Sequence, residues 1–512
     1  MSNVDFQRLP KLSLVVLILR RIYKIWGLLA IFSLKLISGE RELWLSLVLV
    51  LVFLLFTVIP GMVEYFFYGY AITNDGIEIR QGVFKKQALS IPYDRIQALK
   101  QKQWFFFEPF NLIQLEIETA GNSNEAEVQI PAIPQEVVEI IQARKAQANL
   151  QEADQEMLVS NEPEEFSQEK EEVVATSTST LNVQPTYTIS MKQILLFSLT
   201  DLSMLLSVFV ITSFLNRYLS KWYDQAMGTL DKLVSGSLWL IVFVILIVLL
   251  IIIFCSFVKG IYLYYDFQVF QDAKELTVER GLLAREKTVI PYSRIQGIEI
   301  KQTLLRKIFR LSSVKLLLAT GNSDKDENTF YLLPIVADEE RTALLQKLLP
   351  AWELPSTNFT RNEEPKLWYF IRYNLFIGLI LGIGLGYFLT WWLTLAVAIF
   401  AAFLIAGDIW KAHVQGFQIL SNHFLAVETV FGITRTQSIL VRNKVQALTC
   451  KTSRWLVPKQ LGHLELTIKA GNNSQTVALK FIPLAFQKNL AMWYLPESKQ
   501  TNLLSDIKKR SL

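Results

Sequence analysis

The sequence predicts a mixed membrane protein: about six transmembrane α-helices in three hairpins, alternating with three β-rich domains, each an antiparallel curled sheet closed by a C-terminal helix. Three observations lead there. The chain is 51% hydrophobic and only 19% charged, with a mean hydropathy of +0.30, whereas soluble chains carry about 25% charged residues. Its apolar runs come in pairs. Between and after the pairs, one sequence pattern returns three times.

The strongest apolar runs are 43–63, 238–258 and 391–407, each close to the length that crosses ~30 Å of hydrocarbon. A weaker run precedes each, at 22–38, 202–215 and 373–389, some of them short or interrupted by a polar residue such as Lys35. The first pair, with an amphipathic lead-in, occupies 1–66, the second 188–265 and the third 351–410. Arg20, Arg21 and Lys24 break the first apolar stretch and no small-x-small site follows, so it reads as a retained anchor.

The β-rich segments are 67–147, 266–350 and 411–498. They alternate apolar and polar residues and are rich in β-branched and aromatic side chains. The first reads IPYDRIQALKQKQWFFFEPFNLIQLEIETAGN from Ile91, the second IPYSRIQGIEIKQTLLRKIFRLSSVKLLLATGN from Ile290, and the third LVRNKVQALTCKTSRWLVPKQLGHLELTIKAGN from Leu440. The Gln97–Gly121, Gln296–Gly321 and Gln446–Gly471 spacings are 24, 25 and 25 residues. Chance does not produce that three times, so this is an internal repeat. Each copy continues through a strand and a proline (Pro131, Pro334, Pro483) into a helical pattern. Two strand-like stretches precede it, with Asn74-Asp75-Gly76 reading as a hairpin turn in the first copy.

Two connecting segments differ from this plan. Residues 148–187 are acidic, then Ser/Thr-rich, with too little apolar content to pack, and read as a solvated linker. Residues 499–512 form a basic tail. Within 151–172, nine acidic residues and Lys170 give −8 against a total of +5, leaving +13 on the rest of the chain. A basic body beside membrane spans suits an anionic membrane surface better than nucleic acid.

On these motifs the repeats resemble the bacterial pleckstrin-homology (PH) domain of YdbS/YdbT-like membrane proteins. The second copy carries the resemblance best. In the first, WFFFEPF replaces the basic-apolar middle, and in the third, Leu440-Val441-Arg442 replaces Ile-Pro-Tyr. The resemblance implies PH-like domains and a smaller protein of the same family as partner. It does not imply phosphoinositide binding.

Basic residues after each repeat motif are the candidate surface for anionic lipid or a partner: Lys100 and Lys102 in the first copy, Lys301, Arg306, Lys307 and Arg310 in the second, and Lys451, Arg454 and Lys459 in the third. The alternative is a charged strand edge that resists aggregation. In LLRKIFR, cations rim an apolar face, so the second domain is expected to bind anionic bilayers more strongly than the first. Gly378, Gly382 and Gly386 recur every four residues in the fifth span, a stripe that lets two helices approach closely, within the chain or in a homo-oligomer. Gly384 lies off that stripe.

Three function classes remain at this stage. No Gly-x-Ser-x-Gly, His-Glu-x-x-His or phosphate-cradling glycine loop is present, so an enzyme ranks last, with no cofactor or metal expected. Two cysteines make no disulfide framework, and His413, His423 and His463 match no metal spacing and read as surface residues. A transporter or channel would rest on Asp201, which reads otherwise as an interfacial cap of the span that follows. A membrane-anchored scaffold or interaction protein at the bacterial cytoplasmic membrane, in envelope maintenance or defence, fits best. Five Lys/Arg in the first 24 residues, against four in the three hairpins, place the β-domains in the cytoplasm.

Overall fold

A computed structural model describes residues 6–23, 27, 43–82, 86–119, 127–159, 184–200, 228, 238–319, 329–356, 358–362, 366–388, 391–470 and 473–495. Among these, four helices contain windows long and apolar enough to cross a membrane: Val50–Phe67, Leu246–Tyr264, Leu367–Gly384 and Val397–Val414. Most of their large side chains are exposed on the protein, as lipid-facing surfaces are. The third pair forms the hairpin Leu367–Phe388 and Trp391–Val414. The expected spans at 22–38 and 202–215 lie almost wholly outside the described residues, and so does Asp201.

Among the described residues, each repeat supplies seven strands. The first has β1 (Gln7–Arg8), β2 (Gly69–Ile72), β3 (Gly76–Gln81), β4 (Gln87–Pro92), β5 (Ile96–Trp104), β6 (Leu112–Thr119) and β7 (Glu127–Pro134). The second has β8 (Tyr187–Thr188), β9 (Gln268–Gln271), β10 (Glu275–Arg280), β11 (Ala284–Pro291), β12 (Ile295–Thr303), β13 (Leu311–Leu318) and β14 (Thr329–Ala337). The third has β15 (Thr360–Arg361), β16 (Gly416–Ile419), β17 (Phe424–Phe431), β18 (Thr434–Val441), β19 (Val445–Lys451), β20 (Leu461–Ala470) and β21 (Asn473–Pro483). A helix follows each set: Gln135–Val159, Asp338–Leu348 and Leu484–Tyr494.

Sheets do not stop at repeat boundaries. The orders are β1-β2-β3-β4, then β7-β6-β5-β11-β10-β9-β8, then β14-β13-β12-β18-β17-β16-β15, and finally β19-β20-β21. The last three strands of one repeat therefore continue into the first four of the next. The pairings at these junctions are antiparallel, with Lys100 opposite Thr288 and Glu299 opposite Ser438. By internal packing the chain forms two compact units, residues 1–270 with 277–289, and residues 271–276 with 290–512. The division falls inside the second repeat.

Alternation of side chains explains the cores. In the first unit, Ile77, Ile79, Leu115, Ile117 and Ile130 are fully buried, with Val138 and Ile141 of the closing helix against them. In the second, Leu425, Val427, Leu464, Leu466 and Ile468 meet Leu490 and Trp493 in the same way. The strand period of two puts these residues on one face, and the helix covers it.

The recurring motif has a structural task. Its middle residues form a tight turn at Tyr93–Arg95, Tyr292–Arg294 and Arg442–Lys444. Tyr292 donates its hydroxyl to the Leu348 carbonyl at the end of the closing helix, 3.1 Å, and also approaches the Asp272 carbonyl at 3.3 Å. Tyr93 donates to the Thr73 carbonyl, 3.0 Å, and Arg144 of the closing helix donates to that same carbonyl. Where the third copy lacks tyrosine, Arg442 donates to Leu495 O at 2.9 Å. A different side chain thus ties the same turn to the same helix end.

Lead-in helices pack on glycines of the spans. A Cβ on Gly61 would meet Ile18 Cγ1 at 3.1 Å, and one on Gly260 would meet Ser198 Oγ at 2.6 Å. Ser190 and Gln193 form a capping box that starts the second of these helices.

Candidate functional site

The turns between the fifth and sixth strands of each repeat carry the candidate basic and aromatic residues. In the second unit they can be located against the spans. Residues Leu304–Ile308 make one helical turn, started by Thr303, whose side chain accepts from the Arg306 amide. Arg310 then closes it with a left-handed backbone, φ 51°. Lys307 Nζ lies 5.5 Å from the centre of the Trp410 ring, in the last turn of the Trp391–Val414 span. The β17–β18 turn sits beside it. Leu304 N donates to Ile433 O at 2.9 Å, and a Cβ on Gly407 would lie 3.5 Å from Gly432 O. Ile308, Phe309 and Phe431 are 68%, 55% and 84% exposed there, at the level of a span's end.

The first unit repeats this arrangement. Phe105 N donates to Leu283 O at 2.9 Å, the counterpart of the Leu304–Ile433 bond. Phe105, Phe110, Leu282 and Leu283 are exposed at this tip, while Phe107 is fully buried and packs with Val16, Leu112 and Ala132. In the third repeat, Trp455 is 85% exposed, while neighbouring Leu456 packs with Phe370, Leu461 and Phe481. Phe370 belongs to the first turns of a span, so this tip also meets the membrane end of the helices.

The predicted basic residues separate into four kinds. Arg306 is buried, with Nη1 donating to Ser313 Oγ at 2.5 Å, so it holds the turn together. Lys301 pairs with buried Glu299 at 2.8 Å, and Lys451 with Glu465 at 2.5 Å. Lys307, Arg310, Arg454 and Lys459 are exposed, as is the ion-paired Lys451, and Arg310 lies only 3.7 Å from the equally exposed Glu339. Lys100 and Lys102 are not on a tip surface. Lys100 is buried 3.8 Å from Glu116, and Lys102 pairs with Glu286 across the β5–β11 junction at 2.8 Å. Burial penalises the Glu286 carboxylate, yet Lys102, Arg280 and Lys100 overcome it and hold its pKa at about 2. Sequence reading missed this cluster because its members are some 180 residues apart; the opposite charges of Lys102 in KQK and Glu286 in REK were the available signal.

A cleft of about 580 Å³ opens between the third span pair and β20–β21, lined by Arg372, Asp408, Lys411, His463, Glu465 and Lys480 among others. His413 and His423 are exposed, but His463 is half-buried and accepts from Phe481 N at 3.2 Å. Burial and Lys480 lower its pKa, so it stands as a neutral acceptor in β20. Among the described residues no His/Cys/Asp/Glu group could hold a metal.

In the glycine-rich span, a Cβ on Gly378 would fall 2.6 Å from Ala401 Cβ, and Thr394 Oγ1 donates to Gly382 O at 3.3 Å. Gly384 has nothing within 4 Å. Gly386 lies in the same helix, Leu367–Phe388. Asn374 donates to Asp408 at 2.6 Å across the hairpin.

The sequence is similar to known proteins. Residues 15–149 and 205–348, more than half of the chain, match the family model described as Bacterial PH domain. The chain is 24% identical over 452 residues to the UPF0699 transmembrane protein YdbT of Bacillus subtilis (strain 168), covering 86% of this chain and 88% of that one. No solved structure matches it.

Proposed function

The chain belongs to the bacterial PH domain family, and from that membership we propose a membrane-anchored, non-enzymatic scaffold that holds three PH-like domains against the cytoplasmic face of a bacterial cell membrane. The carrying observation is the position of the exposed Lys307–Phe309 turn beside Trp410 at a span's end. Apolar tips rimmed by lysine and arginine there enter the interface and meet anionic headgroups, each cation contributing ~1 kcal/mol near the surface. Three copies of one strand succession support three domains, and even numbers of spans between them keep all three on one side. With the runs 22–38 and 202–215 crossing, the spans number six.

The partners in this reading are membrane lipids, a smaller protein of the same family and further copies of the chain, with no nucleic acid; the setting is envelope maintenance or defence. Sidedness is tested in intact cells with single-cysteine probes and a membrane-impermeant maleimide. Probes within 221–232 are expected to be modified from outside, and probes at 161 or Asn322 only after permeabilisation. The opposite pattern rejects the cytoplasmic placement.

A further inference from the structure

The two internal junctions use one register. In the first, Lys100, three residues after Gln97, stands opposite Thr288, two before Ile290. In the second, Glu299, three after Gln296, stands opposite Ser438, two before Leu440. The fifth strand of a repeat therefore joins the fourth strand of the following repeat by a fixed rule. Applied along the chain, the rule leaves one member of each kind over. β4 pairs with β3, β19 pairs with β20, and both end their sheets among the described residues. Their surfaces differ from those of strands inside a junction. Gln87 to Ser90 are all exposed in β4, and Gln446, Ala447, Cys450 and Lys451 are exposed in β19, whereas β12 is buried from Ile295 to Ile300.

We propose that β19 of one copy pairs antiparallel with β4 of a second copy, continuing the sheets head to tail between chains. This deepens the scaffold reading and rests on it. A second copy is the occupant because each copy presents both halves of a junction that the chain already makes twice. Such an interface is heterologous, so it generates rings or open rows instead of closed two-fold dimers. Membrane anchoring is no obstacle: the internal junctions already join repeats that share one bilayer, and a third of the same geometry does too. Amide and carbonyl groups along the edges of β4 and of β19 from Ala447 on, which face no strand among the described residues, are satisfied on pairing, the ordinary driving force of strand addition.

The register makes the test specific. Thr449, three after Gln446, falls opposite Leu89, two before Ile91; one step along, the native Cys450 falls opposite Ala88. Directly opposed residues in an antiparallel pair are about 4.5–5.5 Å apart at Cα, within the span a disulfide bridges. Full-length protein with Cys255→Ser and Ala88→Cys, kept in isolated membranes, is oxidised with copper phenanthroline and run on a non-reducing gel. A ladder at multiples of the chain mass is expected. Leu89→Cys in the same background should link roughly tenfold less, since adjacent residues of a strand face opposite sides. Adding Cys450→Ser to Ala88→Cys should remove the ladder, which excludes links between like positions. Ala88 and Leu89 are exposed, so both variants keep the fold, and each monomer's detergent sedimentation profile verifies that. No ladder, equal ladders at 88 and 89, or a Cys450-dependent adduct to a different protein overturns the proposal. If it is overturned while the maleimide pattern holds, the anchored scaffold stands and the copy-to-copy junction alone is lost.

Discussion

Lys102 and Glu286, 184 positions apart in the chain, face each other directly across β5 and β11 with Nζ 2.8 Å from Oε1. Arg280 reaches the same carboxylate at 3.3 Å, and both oxygens are mostly shielded from solvent. The pair fastens the sheet at the point where one repeat passes into the next.

Glu286→Gln leaves two cations facing a neutral amide and should destabilise the protein by about 2–4 kcal/mol at pH 7. The folded pKa, about 2, lies below the ordinary 4.5. The carboxylate's contribution is therefore full above pH 4.5 and disappears as pH falls toward 2. The gap between the melting temperatures of wild type and variant in detergent should narrow steadily as pH drops from 5 toward 2; a constant gap would show that the charge is not the source.

Tyr292→Phe removes the bond to Leu348 O and should cost about 1–2 kcal/mol. Arg442→Ala, which removes the bond to Leu495 O, should cost as much or more. Hydrogen exchange should rise at the C-terminal turn of the corresponding closing helix and nowhere else.

Gly378→Leu should disrupt the third hairpin, because Ala401 occupies the space its side chain needs. Overpacking costs about 1–3 kcal/mol. Gly384→Leu meets nothing within 4 Å and should leave the melting temperature unchanged. Equal effects of the two would remove the packing claim.

An environment-sensitive fluorophore on Phe431→Cys, with Cys255 and Cys450 replaced by serine, should report an apolar setting in anionic nanodiscs. Lys307→Glu combined with Arg310→Glu should shift it toward water, more at low salt than at high salt, where charges are screened within about 10 Å or less. A salt-independent signal would mean that the tip rests on apolar contact alone.

The strand succession and four of the helices were legible in the sequence because they depend on local periodicity. The role of the third repeat's Arg442 was not, since only the fold reveals that a guanidinium can span the gap a tyrosine hydroxyl spans elsewhere. Lys100, Lys102 and Arg306 were read as surface cations for a similar reason. A basic residue on an alternating strand looks solvated until the partner strand is known, and partner choice is non-local. WFFFEPF illustrates the point within six residues: Phe107 is fully buried while Phe105 and Phe110 are exposed.

Because both junctions obey one register, the number of repeats is independent of the chemistry that joins them. A recombination that removed a whole repeat at equivalent positions would bring Lys100 opposite Ser438 and restore a sheet of the same length. A tandem duplication would likewise insert a new member without redesigning either neighbour. The architecture is thus modular at the level of the gene although no single repeat owns a complete pair of sheets, and shorter or longer relatives can arise from it in one genetic step.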